Sequence, residues 1–276
     1  MMSVMGNARS GRAPGGPGIG LAAMVLAAAG CGTLPSPFPV IGPLPEGEAA
    51  RVLDGRARAV RSVYAVVRVS IDGQEFAGTF DVASSFQRPD RLRMSAFKDV
   101  LLGTRSIFDL AFKDGAYAFV LQAEEKAELR RGVLDRFPDE NPRMAALFWM
   151  REALFLPGSS LGDPGVQGVR VIDPGSPTMP GRAESMISSG ARAEWIFDPA
   201  TLEVRSAQIH PPGSAGPIAI TYGGYRAVSG AFIPGDVRID DPQEGFHMRA
   251  ILRDLELNPD LDPSAFDIEA PEGMKQ

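Results

Sequence analysis

The sequence predicts a mainly β fold: an antiparallel sheet that curls on itself, with a helix laid across its mouth. Three observations predict it. Short segments alternate apolar and polar residues with a period of two, as half-buried strands do. Tight-turn signals join them, Asp72-Gly73 and Lys113-Asp114-Gly115 among them. One stretch, 141–158, instead reads as a helix, with Asn141 as N-cap, Pro142 at the first helical position and Pro157-Gly158 as its stop.

The elements follow in order. Residues 46–61 have helical composition, with Ala49, Val52, Leu53, Ala57 and Val60 on one face and Gly55 weakening it. Five short strands come next, at 62–71, 74–82, 91–97, 105–112 and 116–122, joined by turns or short loops into an antiparallel meander. Charge breaks the pattern from Glu124 onward, ahead of the helix at 141–158. Residues 159–190, rich in Gly, Pro and Ser, read as mostly loop with a single strand at 168–172. Strand patterns return at 191–198, 203–210, 216–228, 231–240 and 246–257, the last alternating Phe246, Met248, Ala250 and Leu252 against polar neighbours. That makes about ten strands, and an antiparallel sheet this large must curl or split to bury one face.

The N-terminus carries a different kind of signal. Arg9 and Arg12 precede an apolar run from Ile19 to Ala29, too short to span a bilayer, which needs roughly 20 residues. It ends in Ala28-Ala29-Gly30-Cys31, which resembles the lipobox of bacterial lipoproteins, and Cys31 is the sole cysteine. The usual Leu three places before the cysteine is Ala28 here. The resemblance implies cleavage before Cys31 and acylation of its thiol; the alternative is an ordinary signal peptide that contains a cysteine. A secreted chain offers this thiol no partner, which favours the lipobox. Gly32 follows, with no Asp to resemble an inner-membrane retention signal, which suggests the outer membrane. Five prolines among the thirteen residues Thr33–Pro45 predict an extended tether. The expected organisation is thus a signal peptide at 1–30, a proline-rich tether at 31–45 and one domain at 46–276.

Composition and motifs exclude several classes. The formal charge of −6, without a basic stripe, argues against a nucleic-acid partner. The two histidines, His210 and His247, lie far apart, so no metal site is expected. No nucleophile elbow and no phosphate-binding glycine loop appear. The paired carboxylates Asp240-Asp241 and Glu124-Glu125 point to opposite faces of a strand. No catalytic residue, cofactor or enzymatic activity is expected.

The C-terminal third carries the most specific resemblance. It holds Trp195 followed by Asp198-Pro199, Tyr222 and Tyr225 on an aromatic strand, and Phe232-Ile233-Pro234. It closes with Leu257-Asn258-Pro259, Leu261-Asp262-Pro263 and Phe266. With "FAGTFDV" and "PDRLRMSAF" in the first half, the mature chain resembles the LolA/LolB superfamily of lipoprotein-localisation factors and related outer-membrane lipoproteins. That resemblance implies an unclosed, strongly curved antiparallel β-barrel with a helical lid and an apolar cavity for acyl chains. The cavity candidates are Val67, Val69, Phe76, Phe80, Leu92, Met94, Phe108, Leu110, Phe112, Tyr117 and Phe119, with Trp195, Phe197, Ile220, Tyr222, Phe246 and Met248 from the second half. Met144, Leu147, Phe148 and Met150 would line the lid, where flexible thioethers suit changing shapes. Alternation alone cannot separate a hollow barrel from a filled one, so plain core is the competing reading for each residue.

In LolB-type members a protruding apolar loop residue is implicated in delivery to the membrane, and Val100, Leu101 and Leu102, in the expected loop 98–104, are similar in position. The competing reading folds that loop back under the lid. The expectation is a monomeric lipoprotein anchored through Cys31 to the periplasmic face of the outer membrane. It accepts acyl chains of lipoproteins or lipids, with a soluble periplasmic carrier as a candidate donor, and passes them to the membrane. A filled-interior structural subunit of an envelope complex is the alternative, and an envelope hydrolase without recognisable residues a weaker third.

Overall fold

The structure, a computed structural model, describes residues 38–73, 77–88, 91–100, 103–122, 127–133, 170–186, 191–212 and 216–268. One helix, α1 (Glu46–Arg58), opens the described chain, with Glu46 and Glu48 in its first turn and Arg56 and Arg58 in its last, as the helix dipole favours. Six strands follow: β1 (Ser62–Asp72), β2 (Gly78–Gln87), β3 (Arg91–Val100), β4 (Gly103–Lys113), β5 (Ala116–Gln122) and β6 (Ala127–Val133). The second half holds β7 (Arg170–Asp173), β8 (Gly181–Met186), β9 (Arg192–Phe197), β10 (Val204–His210), β11 (Ile218–Gly223), β12 (Arg226–Val228), β13 (Ala231–Ile233), β14 (Asp236–Asp241) and β15 (Phe246–Leu257). Thirteen of these form one antiparallel sheet in the order β6-β5-β4-β3-β2-β1-β15-β14-β11-β10-β9-β8-β7. Its ends, β6 and β7, do not pair, so the barrel is unclosed, as expected.

Two meanders meet where β1 pairs with β15, from Val63 opposite Leu257 to Asp72 opposite His247. A bulge interrupts this seam at Arg253, an unpaired residue between Leu252 and Asp254. Before it, Met248, Ala250 and Leu252 face inward; after it, Leu255 and Leu257 do. The bulge therefore keeps the apolar row on one face although the sequence period shifts by one residue. Further irregularities lie at Ile107 of β4, in β10 between Val204 and Ser206, and in β7. Such bulges increase local bend and twist. Inward side chains from β7 at one end and β5 at the other join a single buried cluster with Ala49 and Leu53 of α1, which a flat sheet of this width would keep apart.

The seam is locked at its outer end by Asn258, whose backbone takes a left-handed φ of 55°. Its side-chain oxygen accepts from the Arg61 N–H at 2.7 Å and its amide donates to the Ala59 carbonyl at 3.2 Å. Its own N–H donates to the Ser62 carbonyl at 2.8 Å, while the Ser62 hydroxyl donates to the Pro259 carbonyl at 2.6 Å. The chain then crosses the outer face. Asp262 caps a 3-10 turn at Pro263–Phe266, Phe266 is buried, and Ile268 packs with Ala111 and Val120. Arg93, paired with Asp109 at 2.6 Å, donates to the carbonyls of Ala265 and Asp267, and Lys113 reaches the Asp267 carboxylate.

Several expectations needed correction. The charged stretch after Glu124 contains β6, an edge strand that carries Glu128, Arg130 and Arg131 where an unpaired edge favours charge. Residues 181–186, read as loop, form β8; its inward positions are Gly181, Ala183 and Ser185, too small to register as apolar alternation. Residues 216–228 and 231–240 each contain two strands. The chain leaves the main sheet at Gly224, with φ 59°, and returns at Gly235, where a Cβ would collide with the Gly224 carbonyl oxygen. Between them β12 and β13 form a separate hairpin. The expected loop 98–104 is mostly strand, since Lys98, Asp99 and Val100 pair with Arg105, Thr104 and Gly103.

Replacing Asn258 with Ala removes its side-chain hydrogen bonds to the Arg61 and Ser62 N–H groups and to the Ala59 carbonyl, and leaves a residue at positive φ without that compensation. The expected loss is about 2–3 kcal/mol in urea unfolding, with Asn258→Asp, which keeps the acceptor oxygen, losing less. A change below about 0.5 kcal/mol, the range of ordinary surface substitutions, would show the lock to be dispensable.

Candidate functional site

The candidate site is the concave face of the sheet, because one set of alternating positions on nearly every strand is apolar and buried. Cross-strand rows define it. Val63, Phe86, Leu92, Phe112 and Tyr117 align across β1 to β5, as do Val67, Val82, Ala96, Phe108 and Leu121. A longer row runs through the second half, from Val171 by Ala183, Trp195, Ala207, Ile220 and Ile239 to Met248 and Ile71.

The expected cavity residues fall on this face. Val67, Val69, Phe80, Leu92, Met94, Phe108, Leu110, Phe112, Tyr117, Phe119, Trp195, Phe197, Ile220, Tyr222 and Met248 are all buried in one cluster, and Phe246 packs against it half-buried. Phe76, the lid residues Met144, Leu147, Phe148 and Met150, and the loop tip Leu101 and Leu102 lie outside the described residues. Val100 ends β3 as a strand residue paired with Gly103.

The two halves of the face differ in side-chain size. On β2 to β5 the inward residues are mostly Phe, Leu, Met and Val. On β8 to β10 small residues surround two rings: Gly181 lies against Phe197, where any Cβ would clash with the ring, and Ala183 and Ala207 flank Trp195. The Trp195 indole N–H donates to the Ser185 hydroxyl at 3.1 Å, which satisfies both buried polar groups. Helix α1 approaches β7 on this side.

The outer face is polar and laced with ion pairs. Arg68 binds Asp81 and Arg249 binds Asp236, each through two hydrogen bonds, and Arg182 pairs with Glu194. The hydrogen bond from Arg68 holds the Asp81 carboxyl below its ordinary pKa, and that from Arg249 does the same for Asp236. A cleft of about 620 Å³ opens at one end of the sheet, lined by Ser70, Thr79, Arg238, Asp240, His247 and Arg249 together with Ile71, Ala77 and Met248. His247 Nδ1 lies 2.7 Å from the Asp240 carboxylate. Charged and apolar side chains thus share the wall of this cleft. Among the described residues no group of three or more His, Cys, Asp or Glu is placed to hold a metal ion.

Sequence reasoning missed an aromatic latch. Phe38, in the segment expected as a free tether, is buried: it stacks on Phe232 with centroids 4.1 Å apart and meets Tyr225 edge-on at 5.0 Å. The Arg56 guanidinium lies over both phenylalanine rings and donates to the carbonyls of Thr201 and Leu202. Tyr225 donates its hydroxyl to the Val204 carbonyl at 2.6 Å, and burial pushes its pKa well above the usual value. The N–H groups of Ile41 and Gly42 both donate to the Ala200 carbonyl. The turn they bind is built by Asp198, whose carboxylate accepts from the N–H groups of Ala200 and Thr201. The second half of the proline-rich segment is therefore packed against the domain, because one aromatic residue and two free N–H groups find partners there. The signal was available in Phe38 itself and in the Tyr-x-x-Tyr and Phe-Ile-Pro motifs that receive it.

No family model matches the chain, and no curated protein matches it in sequence. Solved structures do match in fold. A LolA superfamily protein from Nitrosomonas europaea aligns at 10% identity and a TM-score of 0.54, over 79% of this chain and 97% of that one. A DUF1329 family protein from Desulfovibrio piger aligns at 13% and 0.56, over 81% and 98%. A domain from Vibrio parahaemolyticus described as outer membrane lipoprotein-sorting aligns at 13% and 0.55, over 80% and 95%.

Replacing Phe38 with Ala should lower stability by about 2–3 kcal/mol and open 38–45 to limited proteolysis while the core stays resistant. Unchanged stability and protection would mean the latch does not hold the segment in solution. The concave apolar face, the unclosed sheet and these alignments together establish that the chain has the LolA-type fold that its sequence resembles.

Proposed function

We propose that the protein is a non-catalytic envelope lipoprotein, anchored through Cys31 at the outer membrane, that binds acyl chains on its concave face and passes lipoproteins or lipids to the membrane. One observation carries the reading: an apolar face runs across twelve of the thirteen strands of an open sheet, all but the edge strand β6. Burying hydrocarbon there requires no polar rearrangement, and transfer of apolar area from water contributes about 25 cal/mol per Å². The lipoprotein-sorting description of one structural neighbour supports the same class of ligand. A chain tethered at its own first residue suits the accepting step better than free shuttling between membranes.

A second reading has its own support. Ala49 and Leu53 of α1 belong to the same buried cluster as the concave face, so part of that face is already filled by the protein. A fully filled interior would leave a structural or interaction role in an envelope complex.

Purification without detergent followed by mass spectrometry of an organic extract separates the two. The acyl-binding reading expects roughly one co-purified acyl lipid per chain, or its acquisition from phospholipid vesicles after delipidation. A protein that carries none and acquires none would support the filled-interior role instead.

A further inference from the structure

Four polar residues are buried among the described ones: Ser62, Ser84, Ser185 and Thr201. Three of them have partners. Ser62 donates to the Pro259 carbonyl, Ser185 accepts from the Trp195 indole, and the Thr201 hydroxyl accepts from the Glu203 N–H. Ser84 is fully buried and its hydroxyl has no hydrogen-bond partner.

Its position gives this orphan a meaning. Ser84 lies on β2 in the row Leu255, Ala65, Ser84, Met94, Leu110, Phe119, near the middle of the concave face. Every other member on these strands is apolar, and the row ends at Arg130 on the edge strand β6. An alanine would fill the same space without leaving a buried hydroxyl unpaired, an omission that destabilises a fold measurably. Apolar cavities that bind ligands orient them through a small number of such polar groups.

We propose that Ser84 is the polar contact of the acyl site, its Oγ–H donating to the carbonyl oxygen of a bound acyl ester. The inference rests on the acyl-binding reading above and names its ligand class. On β1 to β5 neither this row nor the two beside it carries a charged side chain; Arg130 and Glu128 end two of the rows on the edge strand β6, several strands from Ser84, and pair with each other. A free fatty-acid carboxylate would sit there without a counter-charge, which is strongly unfavourable. A neutral ester carbonyl needs only one donor, and Ser84 supplies it. Met94, beside Ser84, gives way to a guest easily because its side chain is unbranched and flexible.

Comparing an ester with an ether isolates the carbonyl. Binding of 1-palmitoylglycerol, 1-O-hexadecylglycerol and palmitate is measured for the full-length wild type and for Ser84→Ala, with melting temperatures of both. Wild type should prefer the ester over the ether by about fivefold, the effect of one net hydrogen bond, and over palmitate as well. Ser84→Ala should lose that preference by weakening the ester alone, and should melt no lower than wild type. Equal ester and ether binding in wild type, an unchanged preference in the variant, palmitate bound as tightly as the ester, or a lower melting temperature would each overturn the assignment while leaving acyl binding intact. Failure of wild type to bind any of the three would sink the acyl-binding reading itself, and this assignment with it.

Discussion

The pairing of β1 with β15 is the constraint on which the rest of the structure depends. Each meander alone is an open sheet with two edges and one apolar face. Joined at the seam, they become a single sheet wide enough to curl around that face. The seam must also keep its register, because a slip of one residue would turn every inward side chain to the outside. The bulge at Arg253 and the Asn258 lock are the devices that hold it. Both lie in the last strand and the turn after it, so the end of the chain decides whether its beginning faces the correct way.

Chemistry on the two faces follows from that geometry. Outside, Arg–Asp and Arg–Glu pairs link neighbouring strands. Most are partly exposed and each contributes little, about 0–1 kcal/mol. Inside, the large side chains lie on β2 to β5 and small ones on β8 to β10, where they make room for the Trp195 and Phe197 rings. The latch adds a second constraint. Phe38 packed on Phe232 fixes the chain ahead of α1 to the β12–β13 hairpin.

Much of this was legible in the sequence where side chains are large. Phe108, Leu110 and Phe112 alternate plainly, and β4 forms where they do. Alternation failed where the inward residues are small, which hid β8 behind Gly181, Ala183 and Ser185. It failed again at β6, where an unpaired edge carries charge. The long C-terminal segments were seen as strands but not as hairpins that leave the sheet, because the Gly224–Gly235 contact is between residues eleven apart and shows no periodicity. The Asn-Pro and Asp-Pro motifs were visible as patterns. Their physical roles, a seam lock and a 3-10 cap, appear only when their hydrogen-bond partners are placed beside them.

Trp195 offers a direct probe of the central claim, since it lies on the concave face and the chain has only one other tryptophan, Trp149. In a Trp149→Phe variant, titration with a glycerol ester of a dibromo fatty acid should quench Trp195 fluorescence saturably, and the non-brominated ester should reverse the quenching by competition. Trp195 emission that stays unquenched under conditions where the ester demonstrably binds would place the hydrocarbon elsewhere and contradict a guest-binding concave face.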